Sequence, residues 1–152
     1  MTVLGAREIE SEVTVSPADV LRNTAAVDIA QTGIDRREVV LRGFNNAFTG
    51  AAYVLTDYRQ SAIPSLAANA FNLMPITNLD LDQIEVVRGP GSALYGPGVE
   101  EGVIHFRTKD PFGYPGTTIA FSGGNQSFAG GELRHAGVIG DRLGYKVTGL
   151  YS

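Results

Sequence analysis

Glycine and proline punctuate this chain so densely that long elements are excluded. Nineteen glycines and seven prolines gather in clusters: Arg88-Gly89-Pro90-Gly91, Gly96-Pro97-Gly98, Pro111 to Gly116, Gly123-Gly124, Gly130-Gly131 and the turn Gly140 to Gly144. Each cluster marks a turn, so the chain must be built from many short elements. A long charge-free run, between Arg59 and Asp80, is broken by Pro64 and Pro75 and cannot form a spanning helix. Strands that cross a membrane in a barrel need only alternation over about ten residues, so that route stays open.

Between the turns, short elements can be read in order. Ser16 as a cap, Pro17 at the first helical position, and Val20 and Leu21 as apolar contacts predict a short helix within Thr14 to Asn23. Val27 to Ala30 and Glu38 to Leu41 read as strands around the loop Gln31 to Arg37, and Tyr53 to Leu55 as another. Leu79 to Gln83 suits one helical turn, Ile84 to Arg88 a β-branched strand, and Ser92 to Gly96 a second short helix. Val103 to Thr108 alternates Val103, His105 and Arg107 against Ile104, Phe106 and Thr108. From Thr117 the helix signal stops, leaving strands Thr117 to Ser122, Glu132 to Ile139 and Tyr145 to Tyr151. In the last, Tyr145, Val147, Gly149 and Tyr151 share a face opposite Lys146, Thr148, Leu150 and Ser152. The chain stops inside this strand, which would leave an open edge, so a longer protein is expected.

Several chemistries are disfavoured by what is missing. The 16 acidic and 12 basic side chains give a net charge of −4 with no dense basic patch, which argues against nucleic-acid binding. There is no cysteine, and only His105 and His135 could supply imidazole, so disulfides, thiolate sites and a multi-histidine zinc site fall away and no metal or cofactor is expected. Gly91 to Gly96 has the glycine spacing of a phosphate loop, but Pro97-Gly98 stands where Lys and Ser/Thr are needed. No Gly-x-Ser-x-Gly occurs, and Glu100-Glu101 lacks the Asp-rich surroundings of a calcium loop. No catalytic residue is assigned, and an enzyme is the weakest class.

Ile84-Glu85-Val86-Val87-Arg88-Gly89-Pro90-Gly91-Ser92-Ala93-Leu94-Tyr95-Gly96, followed by Gly102-Val103-Ile104-His105-Phe106-Arg107-Thr108-Lys109, resembles the plug signature of TonB-dependent outer-membrane receptors. Pro17 to Thr24 is similar to the family's plug helix, and Val39-Val40-Leu41-Arg42-Gly43-Phe44 to its Arg-Gly strand end. The resemblance implies an α+β plug over residues 1–112, a small mixed sheet with short helices, and over residues 113–152 the first antiparallel strands of a transmembrane barrel of about twenty-two strands. Its implied place is the outer membrane, with the plug in the barrel lumen facing the periplasm. By the same analogy Ser122 to Gly131 is an external loop and Gly140 to Gly144 a periplasmic turn.

The family's function implies a gate for active import of a large scarce nutrient, a ferric siderophore-type chelate above all, energised by TonB through strand addition. No convincing TonB-binding motif precedes Thr2-Val3-Leu4, which reads as a first plug strand. Arg42 and Arg88 correspond to arginines that anchor the plug to barrel glutamates, and Gly43, Gly89, Pro90, Gly91, Gly96 and Gly102 to structural turns. The apical loops supply Arg36, Arg37, Asn45, Asn46, Phe48, Tyr58, Phe71 and Asn72 as ligand contacts, with Phe48 and Phe71 equally able to cap the core. Two departures stand out: Glu101 in place of a glycine and His105 in place of a common asparagine. A self-standing plug-like binding module and an extracellular β-rich structural protein remain the alternatives.

Overall fold

A computed structural model describes residues 1–12, 16–25, 27–31, 37–41, 52–63, 68–69, 71, 74, 76–89, 92–96, 99, 101–124 and 129–151. Strand β1 (Thr2–Gly5) leads into helix α1 (Ala6–Ser11), and a 3₁₀ turn follows at Asp19–Asn23. Strands β2 (Val27–Gln31), β3 (Arg37–Leu41), β4 (Ala52–Thr56), β5 (Arg59–Gln60), β6 (Ala62–Ile63) and β7 (Ala68–Asn69) come next. A second 3₁₀ turn (Asn78–Asp80) opens β8 (Leu81–Arg88), and α2 (Ser92–Tyr95) separates it from β9 (Gly102–Thr108). The chain then runs through β10 (Gly116–Gly123), β11 (Ala129–Ile139) and β12 (Leu143–Tyr151).

The central sheet has the order β1-β8-β9-β4-β5, with β4 parallel to β9 and the other pairs antiparallel. Alternation gives this sheet two distinct faces. Ile84, Val86, Ile104, Phe106, Ala52 and Val54 point to the main core, where α1 contributes Ile9 and the first 3₁₀ turn Val20 and Leu21. On the other face Leu55 and Val103 pack with Val99, flanked by Tyr53, Val87 and Tyr95. Farther along that face the sheet turns polar, where Glu85 lies opposite His105. The hairpin β2–β3 pairs Val27 with Leu41 through Gln31 with Arg37, as the two β-rich runs require.

Two expected helical elements differ from their sequence reading. The helix within Thr14 to Asn23 is a 3₁₀ turn whose N-cap is Ala18 and not Ser16; Ser16 lies just before it, its Oγ accepting from the Ala18 amide (3.3 Å) and its carbonyl from the Asp19 amide (2.9 Å). With only Val20 and Leu21 to bury, nothing rewards a longer helix. The turn expected at Leu79 to Gln83 shifts to Asn78–Asp80, and β8 starts at Leu81. An irregularity in register between Leu81 and Gln83 explains this: strict alternation would turn Leu81 away from Ile84, and the bulge lets both bury completely. Helix α1 was not foreseen; Glu8 stabilises its start by accepting from the Gly5 amide at 3.0 Å.

The C-terminal sheet, β10-β11-β12, is antiparallel throughout. Its burial is inverted relative to a soluble sheet. Ile119, Phe121, Leu133, Val147 and Tyr151 stand on one face and are exposed, Phe121 by 87% and Tyr151 by 79%. On the opposite face Arg134 and Ala136 are buried, at 3% and 2% exposed. Apolar residues out and charged residues in is the pattern of a strand between lipid and a polar lumen.

Candidate functional site: the joint between the two sheets

The inward charges of the C-terminal sheet converge on one carboxylate. Arg134 on β11 pairs with Thr148 and Ala136 with Lys146, so Arg134 and Lys146 are diagonal neighbours on one face. Arg134 Nε donates to Asp80 Oδ1 and Lys146 Nζ to Asp80 Oδ2, each at 2.8 Å. Asp80 ends the Asn78–Asp80 turn, where its amide donates to the Thr77 carbonyl (3.1 Å) and its carbonyl accepts from Lys109 (2.7 Å). The side chains of Asp80 and Arg134 are 4% and 3% exposed, so this pair works in a dry environment.

Secondary contacts extend the joint. Arg134 Nη1 donates to the Tyr114 carbonyl (2.9 Å), Glu132 accepts from the Leu79 amide (3.4 Å), and Lys109 Nζ pairs with Glu10 of α1 (2.7 Å). Lys146 also donates to the Thr108 hydroxyl, which in turn donates to Asp57 Oδ2 at 2.6 Å. Asp57 Oδ1 accepts from the Thr108 amide at 2.9 Å. A polar path thus runs from the C-terminal sheet through Thr108 to the turn between β4 and β5.

Tyr114, in the linker before β10, donates to Asp82 Oδ1 at 2.9 Å. That hydrogen bond, reinforced by the carboxylate's charge, raises the Tyr114 phenol above the ordinary tyrosine range. Because the folded value is raised, the bond is present below the ordinary tyrosine range and lost as pH climbs through the raised value. A phenolate titration that resolves Tyr114 should show it titrating late, and Asp82→Asn should bring its titration down.

The residues expected from sequence do not form one cluster. Arg36, Arg42, Gly43, Asn45, Asn46, Phe48, Asn72, Pro90 and Gly91 lie outside the described residues, and Arg37 is described only as the first residue of β3. Phe71 is 4% exposed and packs edge-on against Phe106 (centroids 6.4 Å apart), so its ring belongs to the core rather than to a ligand surface. Tyr58 is exposed, but it sits in the two-residue turn between β4 and β5, beside His105 and Thr108. Arg88 ends β8 and donates through Nη2 to Thr2 of β1. Its Nε is buried without a hydrogen-bond partner among the described residues.

Gly89 and Gly96 take φ of +98° and +91°. Gly102 is not in a turn: it opens β9 opposite Arg88. Sequence reasoning missed the joint itself. In the sequence Asp80 stands only within an expected helical turn, and Lys146 on the polar face of its strand. The usable signal was a charge at alternate positions in otherwise apolar strands: Glu132 and Arg134 on β11, Lys146 on β12.

Residues 1–103 match the family model described as the TonB-dependent Receptor Plug Domain. The chain is 29% identical to the Vitamin B12 transporter BtuB of Vibrio vulnificus (strain CMCP6), over 98% of this chain and 27% of that protein. Among solved structures, it resembles the ferric yersiniabactin uptake receptor FyuA from Yersinia pestis, with a TM-score of 0.70 and 24% identity over 98% of this chain and 23% of FyuA. It also resembles the copper transporter OprC, with a TM-score of 0.65 and 25% identity over 89% of this chain and 21% of OprC. The chain spans about a quarter of the length of these relatives, which are transporters and receptors rather than enzymes. With a mixed plug sheet followed by antiparallel strands whose charges turn inward, the chain belongs to the TonB-dependent receptor plug family.

Proposed function

We propose that this segment is the gate and the first wall strands of an outer-membrane importer, with the plug over residues 1–112 and the wall starting within 113–152. The observation that carries the reading is the inverted C-terminal sheet, apolar outward and gripping Asp80 with Arg134 and Lys146 inward. A soluble module gains nothing from exposing Phe121, Val147 and Tyr151 together. The cargo we propose is a large, scarce metal chelate of the ferric siderophore type, the class that FyuA is named for, whereas BtuB is named for vitamin B12 and OprC for copper. Energy would come from TonB, engaging a segment N-terminal to β1. Arg36, Arg37, Asn45, Asn46, Phe48, Tyr58 and Asn72 are the proposed ligand contacts, whereas Phe71 is buried against Phe106.

Arg88 and Arg42 are the proposed anchors to the remaining wall. The Nε of Arg88, without a partner among the described residues, supports this, since a buried guanidinium donor is stable only with an acceptor. The test is uptake by the full-length protein in outer membranes, with ferric chelates, cobalamin and copper compared in cells with and without TonB. TonB-dependent accumulation of a ferric chelate is expected; its absence for all three cargos would overturn the importer reading. Arg88→Glu should reduce uptake and raise plug protease sensitivity, and unchanged values for both would remove Arg88 from the anchor set.

A further inference from the structure

His105 is buried at 3% exposed on the polar face of the central sheet, and both its ring nitrogens are engaged. Nε2 accepts from the Tyr58 amide at 3.2 Å, which places the neutral ring's proton on Nδ1, 3.4 Å from Glu85 Oε2. The amide held there belongs to a turn under strain, because Asp57 and Tyr58, neither of them glycine, have φ of +45° and +66°. Tyr58 covers the imidazole edge-on with centroids 4.6 Å apart, while its own ring is 75% exposed. Among the described residues, the charged groups near the ring are Glu85, Arg107 and Asp57. Glu85 on β8 faces Nδ1 and also meets Arg107 of β9 (3.4 Å) and the amide of Gln83, while the Asp57 carboxylate is occupied by Thr108.

We propose that His105 is a proton-operated bolt on the Asp57–Tyr58 turn. A proton taken up from solvent at Nε2 turns the acceptor of the Tyr58 amide into a donor, and two donors cannot share that contact. The imidazolium gains at the same time on its other side, where Nδ1–H and the Glu85 carboxylate become an ion pair. Protonation therefore exchanges the bond that holds the turn for one within the sheet. The strained turn then keeps the contacts of Asp57, whose carboxylate holds Thr108 and whose amide donates to the Phe106 carbonyl at 3.0 Å, and the short β4–β5 ladder. Thr108 also receives Lys146, so loosening the turn reaches the joint with the C-terminal sheet.

The test is amide exchange across 52–61 in the full-length protein between pH 8 and 5, corrected for intrinsic chemistry, in the native protein and in His105→Gln. Glutamine can present an amide oxygen near the Nε2 position without titrating. Opening of the Tyr58 amide should rise at least about tenfold on acidification in the native protein, corresponding to one proton-linked contact, and stay flat in the variant. Equal pH dependence in both would overturn the proposal. Imidazole nitrogen resonances of the native protein give a second, variant-free reading: a proton on Nε2 of His105 at pH 8 would overturn it as well. Neither measurement depends on transport, so the bolt and the importer reading fail separately.

Discussion

Asp80→Ala should release the C-terminal sheet from the plug. The substitution leaves Arg134, 3% exposed, without its carboxylate, and removes the second acceptor from Lys146. Breaking a buried pair by deleting one partner costs about 3–5 kcal/mol, because the surviving charge stays desolvated. Arg134 has little reserve among the described residues, since its Nη2 is already buried without a partner there and its Nη1 keeps the Tyr114 carbonyl. In native-state amide exchange, opening of β11 against the Asn78–Asp80 turn should become faster on the order of 10²–10⁴-fold. Arg134→Met in the Asp80→Ala background should recover part of the loss, because the orphaned charge goes with it. If Asp80→Ala exchanges like the parent chain, Asp80 does not hold the joint. If it does hold the joint, any motion that opens the plug has to break or bypass these two ion pairs.

This joint was also the feature least legible in the sequence. Asp80 is 54 residues from Arg134 and 66 from Lys146, and no local pattern announces a pair across that distance. Strands were legible wherever β-branched runs met Gly or Pro, as at Ile84 to Arg88 before Gly89-Pro90, and wherever a period of two held, as at Tyr145 to Tyr151. The register of β8 was not, because the bulge that buries both Leu81 and Ile84 violates that period. Phe71 shows the same limit on the site side. A phenylalanine in a loop reads equally as a ligand contact or a core plug, and only Phe106 packed edge-on against it decides for the core. Family resemblance directed attention to strand-end arginines, yet within the described residues the closest charge contacts between the sheets belong to an aspartate in a one-turn helix.

Gly102→Ala should be among the most damaging single-methyl additions to this chain. A Cβ at Gly102 would lie 2.3 Å from the Val87 carbonyl oxygen, 3.0 Å from Leu41 Cδ1 and 3.2 Å from the Arg88 Cα. Leu41 could rotate away, but the other two contacts are backbone of the neighbouring strand. They can retreat only by opening the β8–β9 ladder at Val87↔Val103 and Arg88↔Gly102. The backbone adds its own cost, since φ of +154° is a region L-residues rarely occupy. Overpacking typically costs about 1–3 kcal/mol, and with both effects together the loss should reach or exceed the upper figure. Gly149→Ala is the matched control: nothing lies within 4 Å of its added carbon, and its change should stay within about 0.5 kcal/mol. Urea unfolding midpoints of the two variants provide the comparison, and equal midpoints would mean that β8 and β9 can separate here without cost. The expected damage also has a direction. Arg88 is the residue displaced, and Arg88 donates to Thr2 across the sheet edge. Gly102→Ala should therefore loosen β1, whose ladder with β8 runs only from Thr2 to Gly5, before it disturbs β4 on the far side of β9. Faster amide exchange in Thr2–Gly5 than in Ala52–Thr56 would place the glycine where the N-terminal strand is held to the plug.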